Sequence, residues 1–228
     1  MKRRSTIGIA VLSILFFTAC KKEASINIDQ NRIYSDYEVT YDQMSNQTTS
    51  RAVFRVDSKS GKKIELTYPA RVGFNGENLD WRNLGGSYDS ERSGNHLNGS
   101  FTYIDIDENS FQNAGSVTNP IDLPFGMNNI SKNGNFFLPW TGEAIQPGET
   151  VTVVIDGGSQ SGSKTFTATA VGSSYISLEQ YRLNQLVTGT ARIQIQREKT
   201  EALQQSNLSG GRITSTYKGR RITINITE

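Results

Sequence analysis

From Ile26 to the carboxyl terminus, apolar residues recur at every second position in short runs, and Gly, Asn, Ser or Pro breaks the runs at close intervals. A side-chain period of two marks strands with one wet and one dry face. Short strands at this spacing predict an all-β chain of antiparallel β-sandwiches. No stretch keeps the period of a long helix. Tyr37, Val39 and Tyr41 form one face of an early strand, Ala52, Phe54 and Val56 a face of the next, and Phe101, Tyr103 and Asp105 alternate with Thr102, Ile104 and Ile106. Ile64, Leu66 and Tyr68 read as a further strand ended by Pro69, and Phe136 to Trp140 as one carrying a bulky core anchor. Later, Ala191, Ile193 and Ile195 point inward and Arg192, Gln194 and Gln196 outward. The end of the chain reads as a hairpin, with Ile213, Ser215 and Tyr217 in one arm, a turn at Lys218-Gly219, and Ile222, Ile224 and Ile226 in the other.

Two turns carry their own mechanism. Asn75-Gly76 suits a hairpin turn because both residues accept positive φ, and Pro147-Gly148 suits a type II turn. Ser177 to Gln180 matches a capping box and predicts a short helix to about Val187; the polar stretch 200–207 reads as a loop or one helical turn. Residues 113–120 are small and polar, which places a domain boundary there: one β-sandwich over 26–116 and a second over 117–228.

The amino terminus follows other rules. Lys2, Arg3 and Arg4 precede an apolar run from Ile7 to Phe17, too short for a spanning helix and suited to a signal peptide. The run ends at Phe17-Thr18-Ala19-Cys20, which resembles the lipobox of bacterial lipoproteins, with Phe17 where that family most often has Leu. The resemblance implies cleavage after residue 19, diacylation of Cys20, and a lipidated cysteine plus tether over 20–25. Two or three acyl chains hold a protein durably where one does not. No Asp follows Cys20, so the outer membrane is the expected address, facing the periplasm or the cell surface.

Cys20 is the only cysteine, so the exported part has neither disulfide nor thiol chemistry, and its stability rests on apolar cores. The formal charge of +2 comes from the leader. Without Lys2, Arg3 and Arg4 the 24 basic side chains become 21, against 22 acidic ones. Nothing in that balance argues for a nucleic-acid partner.

The segments Phe101–Asn113, Ile145–Ile155 and Gly210–Ile226 together resemble the immunoglobulin-like modules of outer-membrane lipoproteins of Gram-negative bacteria that process glycans. The resemblance implies two immunoglobulin-like antiparallel domains and transfers no functional residues. Neither half has the paired cysteines around a Trp of antibody domains.

No catalytic constellation stands out. His96 is the single histidine and sits in a Gly/Asn loop, without the partners that a nucleophile or a transition metal needs. Asp105, Asp107 and Asn109 have the spacing that opens a calcium loop, but Ser110 stands where Gly belongs and Ser116 where a bidentate Glu belongs. Leu138 to Gly142 matches a sortase signal in letters only. For a glycan, the residues to watch are Trp81, Tyr88 and Trp140, since sugars stack on aromatic rings and Asp80, Arg82 and Asn83 flank Trp81; filling a core is the competing role. The expectation is a non-enzymatic, cofactor-free, lipid-anchored envelope protein that binds or presents an envelope protein or a glycan. A surface glycan-binding lipoprotein and a fimbrial or assembly subunit are the alternatives.

Overall fold

A computed structural model describes residues 22–115, 119–158 and 162–228. Cys20 and the leader lie outside the described residues, as does the expected division at 116/117. The chain opens with β1 (Glu23–Ala24) and two 3-10 turns, Ser25–Asn27 and Gln30–Arg32. β2 (Ile33–Asp42) and β3 (Gln47–Val56) form the first long hairpin. β4 (Lys63–Glu65) stops short of Tyr68, and β5 (Arg71–Phe74) turns into β6 (Glu77–Asn78) through Asn75 and Gly76, whose φ values are 50° and 82°. Both are positive, as the expected hairpin turn requires. β7 (Asp80–Arg82), β8 (Ser87–Ser93), β9 (Ser100–Ile104) and β10 (Ser110–Ala114) follow.

Beyond residue 118 come β11 (Ile121–Asp122), β12 (Asn129–Ser131), β13 (Phe136–Pro139) and β14 (Thr141–Gly142). The Pro147-Gly148 turn closes with Glu149 N–H donating to the Gln146 carbonyl at 3.0 Å, with Gly148 at φ 81°. It leads into β15 (Glu149–Asp156), then β16 (Ser163–Ala168), β17 (Tyr175–Leu178), a helical turn α1 (Gln180–Leu183), β18 (Gly189–Ala202) and β19 (Gly211–Thr227).

Among the described residues the largest sheet has 11 strands, with the path β1-β4-β3-β2-β19-β18-β15-β16 and β7, β8 and β12 attached to its sides. Its pairings are antiparallel except for β1 with β4, β19 with β2, and β12 with β19. Strands from before and after the expected division are therefore hydrogen-bonded neighbours, because β19 pairs with β2 from Gly211↔Ser35 to Lys218↔Asp42.

A second layer closes each half: β10-β9-β5-β6 over the early strands, and the pairs β13-β17 and β11-β14 in the later part. Aromatic rings join the layers in the first half. Tyr37 of β2 stacks on Phe101 of β9 at 4.6 Å, and Phe54 of β3 meets Tyr103 of β9 at 4.6 Å. Ile121, Leu123, Leu138, Ile176 and Leu178 supply the matching inner face of the later layer, and all are buried. Each such side chain contributes about 1.5–3 kcal/mol by leaving water. The fold is thus the all-β sandwich architecture that the alternation predicts.

Three local expectations are corrected. Lys218-Gly219 is not a hairpin turn, since β19 runs straight through it. There Gln194 pairs with Arg221 but Gln196 with Lys218, so Gly219 and Arg220 together face Ile195 as a β-bulge. The extra residue shifts the inward set from Ile213, Ser215 and Tyr217 to Ile222, Ile224 and Ile226. Ser177 does not cap a helix; it pairs with Phe137 inside β17, and α1 begins three residues later without a side-chain cap. The ladder with β13 outweighs a capping preference of about 1 kcal/mol. Finally, β18 continues to Ala202 because its last residues pair with Arg212–Thr214.

Candidate functional site

The outward face of the main sheet is polar by alternation, and where β2, β18 and β19 cross it bears a shallow groove of about 260 Å³. Glu38 and Thr40 line it from β2, Gln196 and Glu198 from β18, and Thr214, Thr216 and Lys218 from β19. Two carboxylates, an amine, an amide and three hydroxyls offer hydrogen bonds of both senses to a polar ligand.

The three aromatic residues expected to watch for sugar do not form one platform. Trp140 is 7% exposed and donates its Nε1–H to the Glu143 carbonyl at 3.0 Å, so it serves the core. Tyr88 is 8% exposed, and its hydroxyl accepts from the Leu66 N–H at 2.7 Å. Burial pushes the Tyr88 phenol up to about 12. Trp81 alone keeps an open flank. It packs on Tyr88 at 4.9 Å, donates to Asn83 Oδ1 at 2.8 Å, and has the Lys22 ammonium 5.3 Å from its ring centre.

Sequence places Phe137 on a strand anchored in the core by Trp140 and assigns no role to Tyr175. Phe137 and Tyr175 stand outward on β13 and β17, 60% and 50% exposed, with their rings edge to face at 5.7 Å. Pro139 is exposed on the same strand face, while Leu138 and Ile176 beneath are buried. The signal was present: if Leu138 and Trp140 point in, period two sends Phe137 and Pro139 out.

The remaining candidates have local roles. Asp105 is buried, its Oδ1 accepts from the backbone of Asp107 and Asn109 at 2.9 Å each, and its Oδ2 accepts from Asn109 Nδ2 at 3.0 Å. It braces the β9–β10 turn instead of facing outward to a cation. His96 Nε2 lies 2.9 Å from the carbonyl of Ser93, the last residue of β8. Among the described residues no three His, Cys, Asp or Glu converge as metal ligands.

The sequence reading also missed Arg197, next on the inward face after Ile195. It is fully buried 3.4 Å from Glu149, whose carboxylate accepts from Gln146 N–H, and the guanidinium donates to the Glu143 carbonyl. The pair ties β15, β18 and the segment before β15 together from inside.

No protein-family model matches the chain, and no curated protein does. Among solved structures, it is similar to one described as "host cell surface retention of a 1.5-MDa bacterial ice-binding adhesin", at 10% identity and a TM-score of 0.23. That match covers 87% of this chain and 66% of the other, just under two thirds. It is also similar to the two tandem V-type regions of VCBP3, a v-region-containing chitin binding protein, at 8% identity and a TM-score of 0.22 over 81% of this chain and 98% of that one. At such scores neither neighbour's ligand is carried over.

Proposed function

We propose that this chain is a non-enzymatic, lipid-anchored protein of the bacterial cell envelope that binds another envelope protein, with Cys20 acylated. The observation that carries the binding role is the Phe137–Tyr175 pair with Pro139. Large apolar side chains grouped on an outward strand face, above a well-packed interior, mark interaction surfaces more often than they tolerate water. Aromatic residues are also the commonest anchors of protein interfaces.

Photo-crosslinking tests this reading, with benzoylphenylalanine placed at Phe137 in living cells. A single discrete protein adduct that disappears with Tyr175→Ser is the expected result. A probe that reacts only with water or lipid overturns it. The polar groove favours a second reading, a glycan ligand, because carboxylate and amide side chains pair with sugar hydroxyls. On a glycan array, binding that falls with Glu198→Gln and is indifferent to Phe137 favours that reading over the first.

A further inference from the structure

Lys22 is the first described residue. β1 pairs in parallel with β4 through Glu23↔Ile64 and Ala24↔Glu65. Lys22 Nζ reaches Glu65 at 2.5 Å and Asn83 Oδ1 at 3.1 Å, and Lys62 Nζ reaches Glu23 at 2.9 Å. The polar tether expected over 20–25 is therefore built into the sheet from residue 23. Two peptide steps separate Cys20 from Lys22, a reach of at most ~7 Å.

The surface around that point carries exposed apolar side chains. Leu84 follows Asn83, the residue that holds both Lys22 and Trp81, and is fully exposed. Tyr68, expected on a strand, lies beyond the end of β4 at 89% exposure. Its neighbour Thr67 donates to Ser25 Oγ at 2.7 Å, next to exposed Ile26. Lys63, adjacent, donates to the Gly85 carbonyl. Trp81, half-buried, lies beside Lys22 and Asn83 in this region. Trp and Tyr rings mixed with lysines and single aliphatic side chains form the chemistry that settles at a lipid headgroup layer. Glu23 and Glu65 neutralise two of the lysines, so the attraction rests on the apolar and aromatic groups more than on net charge.

We propose that Ile26, Tyr68, Trp81 and Leu84 seat this end of the protein in the headgroup layer of the membrane that holds its own acylated amino terminus. The inference rests on the acylation of Cys20 proposed above. A chain tied within two residues of its lipid keeps the surface around Lys22 near the bilayer.

The test uses the mature protein purified from membranes and returned to vesicles of phosphatidylethanolamine and phosphatidylglycerol, with or without lipids brominated near the headgroup. Its mass is measured first. With the acyl mass present, emission from Trp81 falls about two-fold in brominated vesicles, as for a ring at the headgroup–acyl boundary. Trp140, buried in the core, supplies an unquenched remainder, and Trp81→Phe abolishes the response. The double variant Tyr68→Ser/Leu84→Ser alters exposed side chains only and weakens the quenching. Acylated protein whose Trp81 ignores brominated lipid and stays open to acrylamide overturns the seating and leaves the anchor standing. A Trp81 shielded from both quenchers means that a protein covers this face, which also overturns it. A mature chain without acyl mass overturns both.

Discussion

Tyr103 is a residue whose burial goes uncompensated at its polar end. Its side chain is buried against Phe54 and Phe111, yet its hydroxyl finds no hydrogen-bond partner among the described residues. A buried hydroxyl without a partner costs about 1–3 kcal/mol. Tyr103→Phe is therefore expected to stabilise the fold by about 1 kcal/mol, a rise in Tm of about 2–4 °C at this chain length. The same burial raises the phenol pKa of Tyr103, as it does those of Tyr37 and Tyr88. The folded state then holds phenolic protons that the unfolded chain releases from about pH 10. Stability is fully present below that pH and is lost as pH rises toward 12, where Tyr88 titrates in the fold. Urea melts across this range should show the loss, and Tyr103→Phe should make it shallower; a flat profile would contradict the burial.

At the scale of elements, the bulge in β19 decides how the molecule is joined. A Cβ on Gly219 would lie 2.6 Å from the Ile121 carbonyl oxygen and 3.2 Å from Ile195 Cγ2. Overpacking at such a site costs about 1–3 kcal/mol, so Gly219→Val is expected to destabilise the fold by that much and lower the urea midpoint, while Arg221→Val at the exposed neighbour stays near neutral. Period-two alternation made most strands legible, as Tyr37-Val39-Tyr41 and Phe101-Tyr103-Asp105 illustrate. Asn75-Gly76 and Pro147-Gly148 were legible because φ at those residues is a local property. The phase change between Tyr217 and Ile222 was visible too, but a turn and a bulge shift the inward set alike. Only the partners Gln194 and Gln196 on β18 distinguish them. Ser177 failed for a related reason, since pairing with Phe137 is a long-range contact that no capping pattern encodes. At the site, the alternation that buries Leu138 and Trp140 already exposes Phe137. The buried partner of Arg197 and the outward Tyr175 needed the fold itself.

For the whole molecule, the central fact is that β19 is held by β2 on one side and β18 on the other along its first half, and by β12 and β18 near its end. Residues assigned from sequence to two domains thus share one ladder and one continuous buried core. Heat should unfold the two halves together, and calorimetry is expected to give a single transition; two resolved peaks would show that each half stands alone. The ladder between β2 and β19 also has a direction. Its strands are parallel, so the amino-terminal end of β2 and the carboxyl-terminal end of β19 lie toward opposite ends of the ladder. A pull on those two ends draws the two strands in opposite senses along their axes. Their rungs are then loaded side by side in shear instead of being unzipped singly, so the whole ladder resists the force at once.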